Sequence, residues 1–368
     1  MQIGEYRLNR PEEIDTPAYL VYEDMVHHNI REVLRVCGSA QRIVPHVKTH
    51  KSAEVLKLQI AAGMNSYKCA TLREAELLAE HGVSEIIIAY PMVHPAKLKR
   101  LVNLLKLYPE IEFKAIASAP GHLTALSEVA QAAGVELGVY VDLDTGMHRT
   151  GVQPGQEAGD FYASIAAATG LKALGAHVFD GHTLYKPPVE ERTALVDKSI
   201  EYMHDLWDRA SKQGIDVVDN VVGGSWSFHL YLKEERVRVS PGTWVYWDSR
   251  NATMSELPFK VAAVVLSQVI DADPDRDTVT LDVGSKSVSP DQPVEHRFKV
   301  VGHPNAVLTA QSEEHGVVAL NGEKLEVGEM VLVAPGHACT TMVKFPHALV
   351  VDGNGDVVGR YGHQARDR

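Results

Sequence analysis

The chain has 368 residues, 45% of them hydrophobic and 23% charged, a composition typical of soluble globular proteins with a large buried core. It carries 36 Lys and Arg against 48 Asp and Glu, and this net charge of −12 disfavours binding to nucleic acid or to an anionic membrane surface. The first 14 residues lack the apolar run of a signal peptide, no segment reaches the roughly 18 apolar residues of a membrane span, and the three widely spaced cysteines indicate no disulfide framework. We therefore expect a protein of the cytoplasm.

Short apolar runs alternate with helix-like segments from about residue 16 to residue 250. The predicted strands are 18–22, 42–48, 65–70, 85–90, 112–117, 136–144, 171–179 and 216–224. Several of the predicted helices end at a glycine (Gly63, Gly82 and Gly134), which suits the left-handed position after a helix C-terminus. Eight such units predict an α/β fold, a (β/α)8 TIM-type barrel over residues 15–254. An open doubly wound sheet is the alternative, although the chain has no G-x-G-x-x-G motif after a strand.

The pattern changes near residue 255. The apolar runs that follow are separated by turn sequences instead of helix-like segments, and they lie at 259–270, 278–285, 296–302, 324–336 and 342–353. Such spacing predicts successive strands. We expect a second, mainly β domain over residues 255–368, which residues 1–14 join.

Lys48 is the first candidate for chemistry, in the sequence PHVKTHK at residues 45–51. It ends an apolar run, and barrels present their catalytic groups at the C-terminal ends of strands. A half-buried lysine at such a position can form a Schiff base. The alternative is a lysine that ends a strand and faces solvent, but such a density of polar neighbours is difficult to bury without a ligand. These neighbours are His46, Thr49, His50 and Lys51.

Arg149 is the second candidate, in the sequence VDLDTGMHRTGV at residues 141–152. It follows a predicted strand, and its guanidinium group could donate forked hydrogen bonds to an oxyanion or a phenolic oxygen. The alternative is a structural ion pair with Asp142 or Asp144.

The sequence VVGGSWS at residues 221–227 ends a predicted strand with two glycines and a hydroxyl residue. Gly223 and Gly224 would let the backbone approach a phosphate, and Ser225 would add a hydroxyl donor. A tight turn without a ligand is the alternative. The position late in the barrel, where phosphate sites tend to occur, favours the phosphate site.

His337 and Cys339 form a possible metal pair in the sequence GHACTT at residues 336–341. Residues i and i+2 of a strand point to the same face, so both side chains could reach one ion. Imidazole with thiolate favours zinc, with other divalent ions as alternatives. A buried cysteine beside a surface histidine would have the same spacing.

His182 follows the strand in HVFDGH at residues 177–182 and could act as a general base. A loop histidine without a catalytic role is the alternative. His177 begins the same segment, and we place it with the cofactor-binding candidates.

Taken together, these motifs resemble the fold-type III pyridoxal-phosphate enzymes, whose members include alanine racemase. The nearest branch contains D-threonine aldolase, D-serine dehydratase and enzymes of D-hydroxyaspartate. The opening TPAYLVYEDMVHHNI, PHVKTHK, GGSWS, SEEHG and GHAC occur in the order of that branch, so the resemblance spans nearly the whole chain. It implies an alanine-racemase-like barrel with a β domain, working as a homodimer.

The resemblance also implies roles for the candidate residues. Lys48 would be the Schiff-base lysine, Arg149 would contact the cofactor ring, and the GGSWS loop would hold the phosphate. His337 and Cys339 would bind a divalent metal (zinc, manganese or magnesium) beside the substrate, with His182 near that metal and its water. Two departures are visible, because aldolases of this branch often carry Asp in place of Cys339, and because GGSWS replaces a Gly-Gly-Gly-Thr type of loop.

The expected reaction is cleavage of a D-β-hydroxy-α-amino acid. In a D-threonine aldolase reaction, His182 removes the hydroxyl proton and the products are glycine and an aldehyde. In a dehydratase reaction on D-serine, D-threonine or 3-hydroxy-D-aspartate, Lys48 takes the α-proton and the products are a keto acid and ammonia. We favour the aldolase because His182 supplies the base that it needs. A racemase has no use for the metal pair, and a pyridoxal-phosphate carrier protein would lack the β domain.

Overall fold

The structure, a computed structural model, describes residues 1–186 and 188–368 of the chain. The chain divides into two units, each assembled from separate segments. Unit 1 consists of Met1–Val33, Thr49–Leu58 and Thr243–Arg366, and unit 2 of Leu34–Lys48, Gln59–Gly242 and Asp367–Arg368. The sequence-based domain limits, 15–254 and 255–368, stay a prediction.

The helices and strands are numbered in chain order. The strands are β1 (Gln2–Ile3), β2 (Tyr6–Arg7), β3 (Ala18–Tyr22), β4 (Ser66–Cys69), β5 (Glu85–Ile88), β6 (Glu112–Ala117), β7 (Leu137–Leu143), β8 (Leu171–Val178), β9 (Val221–Val222), β10 (Arg238–Val239), β11 (Ala263–Asp273), β12 (Thr278–Leu281), β13 (Phe298–Val300), β14 (Val307–Gln311), β15 (Gly316–Ala319), β16 (Met330–Pro335), β17 (His347–Val351) and β18 (Val357–Gly362). The helices are α1 (Glu23–Cys37), α2 (Ala53–Ala61), α3 (Leu72–Glu80), α4 (Pro95–Leu107), α5 (Pro120–Ala133), α6 (Gln156–Ala167), α7 (Val189–Lys212) and α8 (Ala338–Met342).

Unit 2 is built on a parallel sheet. Within the described residues seven strands form it, in the order β10-β9-β8-β7-β6-β5-β4. Parallel strands that are covered on both faces read as continuous apolar runs, and all four residues of β5 are buried accordingly. The core cluster between the strands consists of Val44, Ile87, Ile116, Tyr140, Leu174 and Val221.

Local signals in the sequence set the helix ends as expected. Gly63, Gly82 and Gly134 all have positive φ angles, of 91°, 68° and 71°, so the prediction of left-handed helix ends is confirmed. Thr71 and Glu74 form a capping box at the start of α3. Among the described residues, no helix is both long enough and apolar enough to cross a membrane.

The prediction that the strand at 18–22 is the first strand of the barrel is wrong. In the structure β3 pairs antiparallel with β11 and parallel with β17, in the main sheet of unit 1. An apolar run of five residues specifies burial on both faces but not the partner strand. Because a helix-like segment follows this run, the sequence pattern indicated a strand of the barrel.

The predicted strand at 42–48 is present only in part. Ile43 forms an isolated parallel bridge with Val239, and His46 forms one with Lys68. Pro45 lies between them and cannot donate to a ladder, and a 3-10 turn at Val47–Thr49 follows. The parallel sheet also includes β10, which the sequence did not predict because it is only two residues long.

Unit 1 contains the mainly β part of the chain. Its larger sheet has the order β14-β15-β12-β11-β3-β17-β18, with β16 paired to β11 and β13. Three of the predicted runs contain β12, β13 and β16, and the run 259–270 overlaps β11, which extends to Asp273. The run 342–353 is strand only from His347, and β14 and β15 were not predicted as strands. The first four residues of the SEEHG sequence connect β14 to β15, and its glycine, Gly316, is the first residue of β15.

Candidate active site

A cavity of about 320 Å³ lies in unit 2, within the size range of small-molecule sites. Its walls include His46, Lys48, Lys68, Arg149, His177 and Phe179. Three of the sequence-predicted residues, Lys48, Arg149 and His177, therefore line one cavity. A larger cavity of about 610 Å³ in unit 1 is lined by none of the residues predicted for the site.

Lys48 and Arg149 approach the same aromatic ring. The Lys48 Nζ lies 5.4 Å and the Arg149 Cζ 4.5 Å from the centre of the Phe179 ring, within the range of cation–π interactions. The 3-10 turn at Val47–Thr49 presents Lys48, whose amide donates to Nδ1 of His46 at 3.3 Å. The described residues give Arg149 no carboxylate partner within 4 Å, so the alternative of a structural ion pair is not observed.

His177 is fixed by Asp142. The His177 Nδ1 lies 2.7 Å from Asp142 Oδ1, and the Thr150 hydroxyl donates to Asp142 Oδ2 at 2.7 Å. Burial alone raises the pKa of Asp142, but the bonds from His177 and Thr150 outweigh it, so its pKa lies below the ordinary value. Burial lowers the pKa of His177 despite the opposing effect of Asp142. The pair is therefore an ionised carboxylate that orients a neutral imidazole.

Lys68 is a residue of the cavity that sequence reasoning missed. It lies on β4, is only 2% exposed, and its Nζ is 3.5 Å from His177 Nε2. Burial first, and then the positive charge of Lys48, lower the pKa of Lys68 to about 7. The sequence feature that could have indicated this residue is a single lysine within a predicted strand, at residues 65–70.

The glycine loop after β9 has its first amides already engaged within unit 2. Gly223 has a φ of 78°, and its amide donates to the Val178 carbonyl at 2.9 Å. The Gly224 amide donates to Asp180 Oδ1 at 3.1 Å, and Ser227 also donates to Asp180. The Ser225 hydroxyl oxygen accepts from the amide of Gly242 at 3.3 Å, and a hydroxyl group can donate at the same time.

The loop is close to the cavity through Phe179, although Gly223, Gly224 and Ser225 are not among the residues that line it. A Cβ atom at Gly224 would lie 3.3 Å from the Phe179 ring, which is a tight contact. The glycine therefore allows the ring that contacts Lys48 and Arg149 to pack directly on the loop.

His182 lies in the 3-10 segment Gly181–Tyr185 and does not line the cavity. Its imidazole packs over Gly146, where a Cβ atom would lie 3.2 Å from His182 Nε2. Its Nδ1 is buried, and the described residues offer it no hydrogen-bond partner. A buried polar atom without a partner is rare in folded proteins and is typical of a group that meets a ligand or water.

His337 and Cys339 converge in unit 1, but not in the way predicted. The strand β16 ends at Pro335, His337 is the extended residue before α8, and Cys339 lies in the first turn of that helix. The prediction that they share one face of a strand is therefore wrong. A helix start nevertheless brings the two side chains near each other, and Cys339 helps to raise the pKa of His337.

Asp291, which the sequence reading missed, holds His337. Its Oδ2 lies 2.5 Å from His337 Nδ1, which leaves Nε2 as the ring nitrogen for a ligand. Burial lowers the pKa of His337, but Asp291 and Cys339 outweigh burial and raise it to about 10. The Thr49 Oγ1 lies 3.1 Å from the Cys339 sulfur. No third His, Cys, Asp or Glu joins a metal-ligating group with this pair in the part of the chain that the structure describes.

The PHVKTHK motif is divided between the two units. Lys48 belongs to unit 2, and Thr49, His50 and Lys51 belong to unit 1, where Thr49 and His50 are fully buried. Burial lowers the pKa of His50 to about 3, so its ring is neutral. Its Nε2 is buried and has no hydrogen-bond partner among the described residues.

Comparisons with known proteins agree with the motifs. The family model described as "alanine racemase, N-terminal domain" matches residues 21–250, and the model described as "putative serine dehydratase domain" matches residues 262–351. The 3-hydroxy-D-aspartate aldolase of Paracoccus denitrificans (strain Pd 1222) is 26% identical over 344 residues, which cover 89% of this chain and 86% of that protein. The D-threo-3-hydroxyaspartate dehydratase of Delftia sp. (strain HT23) is 26% identical over 369 residues, which cover 93% and 96%.

A solved structure has the same fold over the whole chain. It is that of D-threonine aldolase from Filomicrobium marinum, with a TM-score of 0.89, 24% identity and 99% coverage of both chains. The first family model covers more than half of the 368 residues. The chain therefore belongs to the alanine racemase N-terminal domain family, that is, to the pyridoxal-phosphate enzymes of fold-type III.

Proposed function

We propose that this protein is a pyridoxal-phosphate- and divalent-metal-dependent lyase that cleaves D-β-hydroxy-α-amino acids, in the manner of a D-threonine aldolase. The observation that carries the proposal is the unit 2 cavity, which combines the amine of Lys48 with Arg149 and an anchored His177. A divalent metal, which the family resemblance implies, favours a β-hydroxylated substrate, because a Lewis acid can assist the reaction of a hydroxyl group.

The residues of the cavity fit pyridoxal phosphate. Lys48, Lys68 and Arg149 give it cationic walls for an anionic ligand, and its volume of about 320 Å³ suits a small molecule. We propose that Lys48 holds the cofactor covalently, that Arg149 and His177 contact its ring, and that the loop Gly223–Ser225 contributes to its phosphate site. When bound, the cofactor supplies an electron sink for the bond that breaks at Cα.

The pair of His337 and Cys339 fits a divalent cation. Imidazole and thiolate are zinc ligands, and Asp291 orients the imidazole in the way that carboxylates orient metal-ligating histidines. Two protein ligands leave positions open for water or substrate, as a catalytic metal requires. Manganese and magnesium remain the other candidates.

His182 favours the aldolase reaction. Its Nδ1 has no partner among the described residues, so it can accept a proton without first breaking a hydrogen bond within the protein. We propose that it removes the proton of the β-hydroxyl group, after which the Cα–Cβ bond breaks and glycine and an aldehyde leave.

A dehydratase is the second candidate, and Cys339 is the observation that favours it. The aldolases that the chain resembles often carry Asp at this position, whereas the zinc-dependent dehydratases carry Cys. In this reaction Lys48 would take the α-proton, and a metal held by His337 and Cys339 would supply Lewis-acid assistance to the loss of hydroxide. Hydrolysis of the dehydrated product by water would then give a keto acid and ammonia. A relative that is 26% identical is named as a dehydratase of this kind.

One assay separates the two reactions. The protein with pyridoxal phosphate and manganese or zinc is incubated with D-threonine, with L-threonine as the control substrate. We expect acetaldehyde and glycine from D-threonine, and no activity after treatment with EDTA. Formation of 2-oxobutanoate and ammonia alone would replace the aldolase with the dehydratase, and full activity in EDTA would remove the metal from the proposal.

The cofactor lysine is tested separately by borohydride reduction and peptide mapping. We expect the reduced cofactor on Lys48, and no long-wavelength absorption band in Lys48→Ala. The exposed Lys57 provides a control, since Lys57→Ala should bind the cofactor as the unsubstituted protein does. A label on Lys68, the other lysine of the cavity, would overturn the assignment of Lys48.

We also propose that the parallel sheet of unit 2 closes into an eight-stranded barrel. The strands β10 and β4 are the two ends of the sheet order, and the segment 43–46 bridges to both. The amide of Lys68 donates to the Pro45 carbonyl at 2.9 Å, and the amide of Val44 donates to the Val239 carbonyl at 2.8 Å. These bonds support the segment 43–46 as the eighth strand.

The family resemblance implies the dimer, whereas the location and the predicted lack of nucleic-acid and membrane binding rest on the composition and charge of the sequence. We propose a homodimer in the cytoplasm that binds neither nucleic acid nor membranes. Light scattering on the purified protein tests the dimer, and a mass of one chain, 40.3 kDa, would contradict it.

A further inference from the structure

Lys68 has been given no specific contact in the function proposed above, although its charge belongs to the wall of the same cavity as Lys48. Its side chain is 2% exposed. In the described residues, no carboxylate lies within 4 Å of its Nζ, and the hydrogen-bond partner is His177 Nε2 at 3.5 Å. A buried ammonium group without a counter-anion is costly, and proteins retain one mainly where a ligand completes its surroundings.

The orientation of the Lys68 amine follows from its neighbours. An ionised carboxylate only accepts hydrogen bonds, so His177 Nδ1 donates to Asp142. The neutral ring then has an acceptor at Nε2, and Lys68 must donate to it. An amine has further N–H groups beyond the one that His177 takes, and these remain for a group inside the cavity.

The charges around Lys68 favour an anionic or electron-rich ligand. Lys48 and Arg149 are the positive groups that act on its amine, and Asp142 and Asp180 are the negative ones. Asp142 is engaged by His177 and Thr150, and Asp180 by the amide of Gly224. Both carboxylates therefore already accept hydrogen bonds from protein groups, whereas the cationic side chains line the cavity.

We propose that Lys68 is a cofactor-contacting residue, whose amine is oriented by His177 and Asp142 and donates a hydrogen bond to an acceptor atom of the bound pyridoxal ring. This inference rests on the proposal that the cavity is the cofactor site. This hydrogen bond strengthens cofactor binding. A positively charged donor beside the ring also favours the deprotonated ring over the protonated ring, so it lowers the pH at which the absorption of the bound cofactor changes.

The test compares the unsubstituted protein with Lys68→Met and Lys68→Arg. Cofactor affinity is measured by titrating the cofactor-free protein with pyridoxal phosphate, and the absorption band of the bound cofactor is followed from pH 5.5 to 9. We expect Lys68→Met to bind about tenfold more weakly, as the loss of one charge-assisted hydrogen bond implies. The spectral midpoint should rise by about one pH unit. Lys68→Arg should retain most of the cofactor affinity and a spectral midpoint near that of the unsubstituted protein, because it keeps the hydrogen-bond donor and the charge.

The exposed Lys97 provides the matched control. Its Nζ lies 4.9 Å from the ring of Tyr90, another residue of the cavity wall, so Lys97→Met removes a nearby positive charge without touching the proposed contact. It should change neither readout. If Lys68→Met does not give the native circular dichroism spectrum, Lys68→Gln takes its place with the same expectations. Unchanged affinity and midpoint in the folded variant would overturn the inference, whereas failure of the unsubstituted protein to bind the cofactor would overturn the proposed function instead.

Discussion

The buried amine of Lys68 predicts an unusual dependence of stability on pH. An unfolded chain keeps the lysine proton up to a pKa of about 10.4, whereas in the folded protein burial lowers the pKa of Lys68 to about 7. Between these values the unfolded chain binds more protons than the folded one. The free energy of unfolding of the cofactor-free protein should therefore rise with pH across this window, by up to about 1.4 kcal/mol per pH unit.

Lys68→Met removes this contribution, so the comparison of the two proteins isolates it. In the folded protein the Lys68 amine is about half protonated at pH 7 and almost fully deprotonated at pH 9. The difference in unfolding free energy between the unsubstituted protein and Lys68→Met should therefore change by about 2 kcal/mol over this range. Only the unsubstituted protein should gain this stability. Below pH 7 the variant should be the more stable of the two, because it no longer buries a charge.

Urea-induced unfolding of the cofactor-free proteins, followed by tryptophan fluorescence at several pH values, provides the measurement. Lys68→Arg is the control, because an arginine stays protonated throughout and should show no gain between pH 7 and pH 9. Parallel stability curves for the unsubstituted protein and Lys68→Met would refute the reasoning.

Three further predictions concern other parts of the chain. Asp142→Asn should lower the unfolding free energy by about 1–2 kcal/mol, since two hydrogen bonds of 2.7 Å lose their charged acceptor; an unchanged melting temperature would argue against an ionised Asp142. Asp291→Asn should weaken zinc binding roughly 10- to 100-fold in calorimetric titration, because its carboxylate lies 2.5 Å from the histidine of the metal pair. Gly175→Ala should cost about 3 kcal/mol in thermal unfolding, since the new Cβ would lie 2.0 Å from the Asp219 carbonyl oxygen. Gly134→Ala, where no atom lies within 4 Å, should cost only about 1 kcal/mol, and equal losses at both glycines would contradict this account.

The predicted residues that line the cavity of unit 2 stand in local motifs. Lys48 stands in a segment with four other polar residues, and Arg149 lies a few residues after a predicted strand, so neither prediction needed knowledge of distant residues. Lys68 was missed because a single lysine in a strand gives no sign of the direction in which its side chain points. Asp291 was missed because 46 residues separate it from His337.

The sequence by itself determined the alternation of strands and helices, the helix ends at glycines and the presence of a second, β-rich region. These features depend on residue periodicity and on backbone preferences within a few neighbouring residues. Only the tertiary structure decided that β3 pairs with β11 and β17, that a helix start brings His337 and Cys339 together, and that Lys68 and Asp142 meet at His177. The physical reason is that strand pairing and side-chain contact depend on which distant segments are packed together, and a local pattern contains no information about that choice.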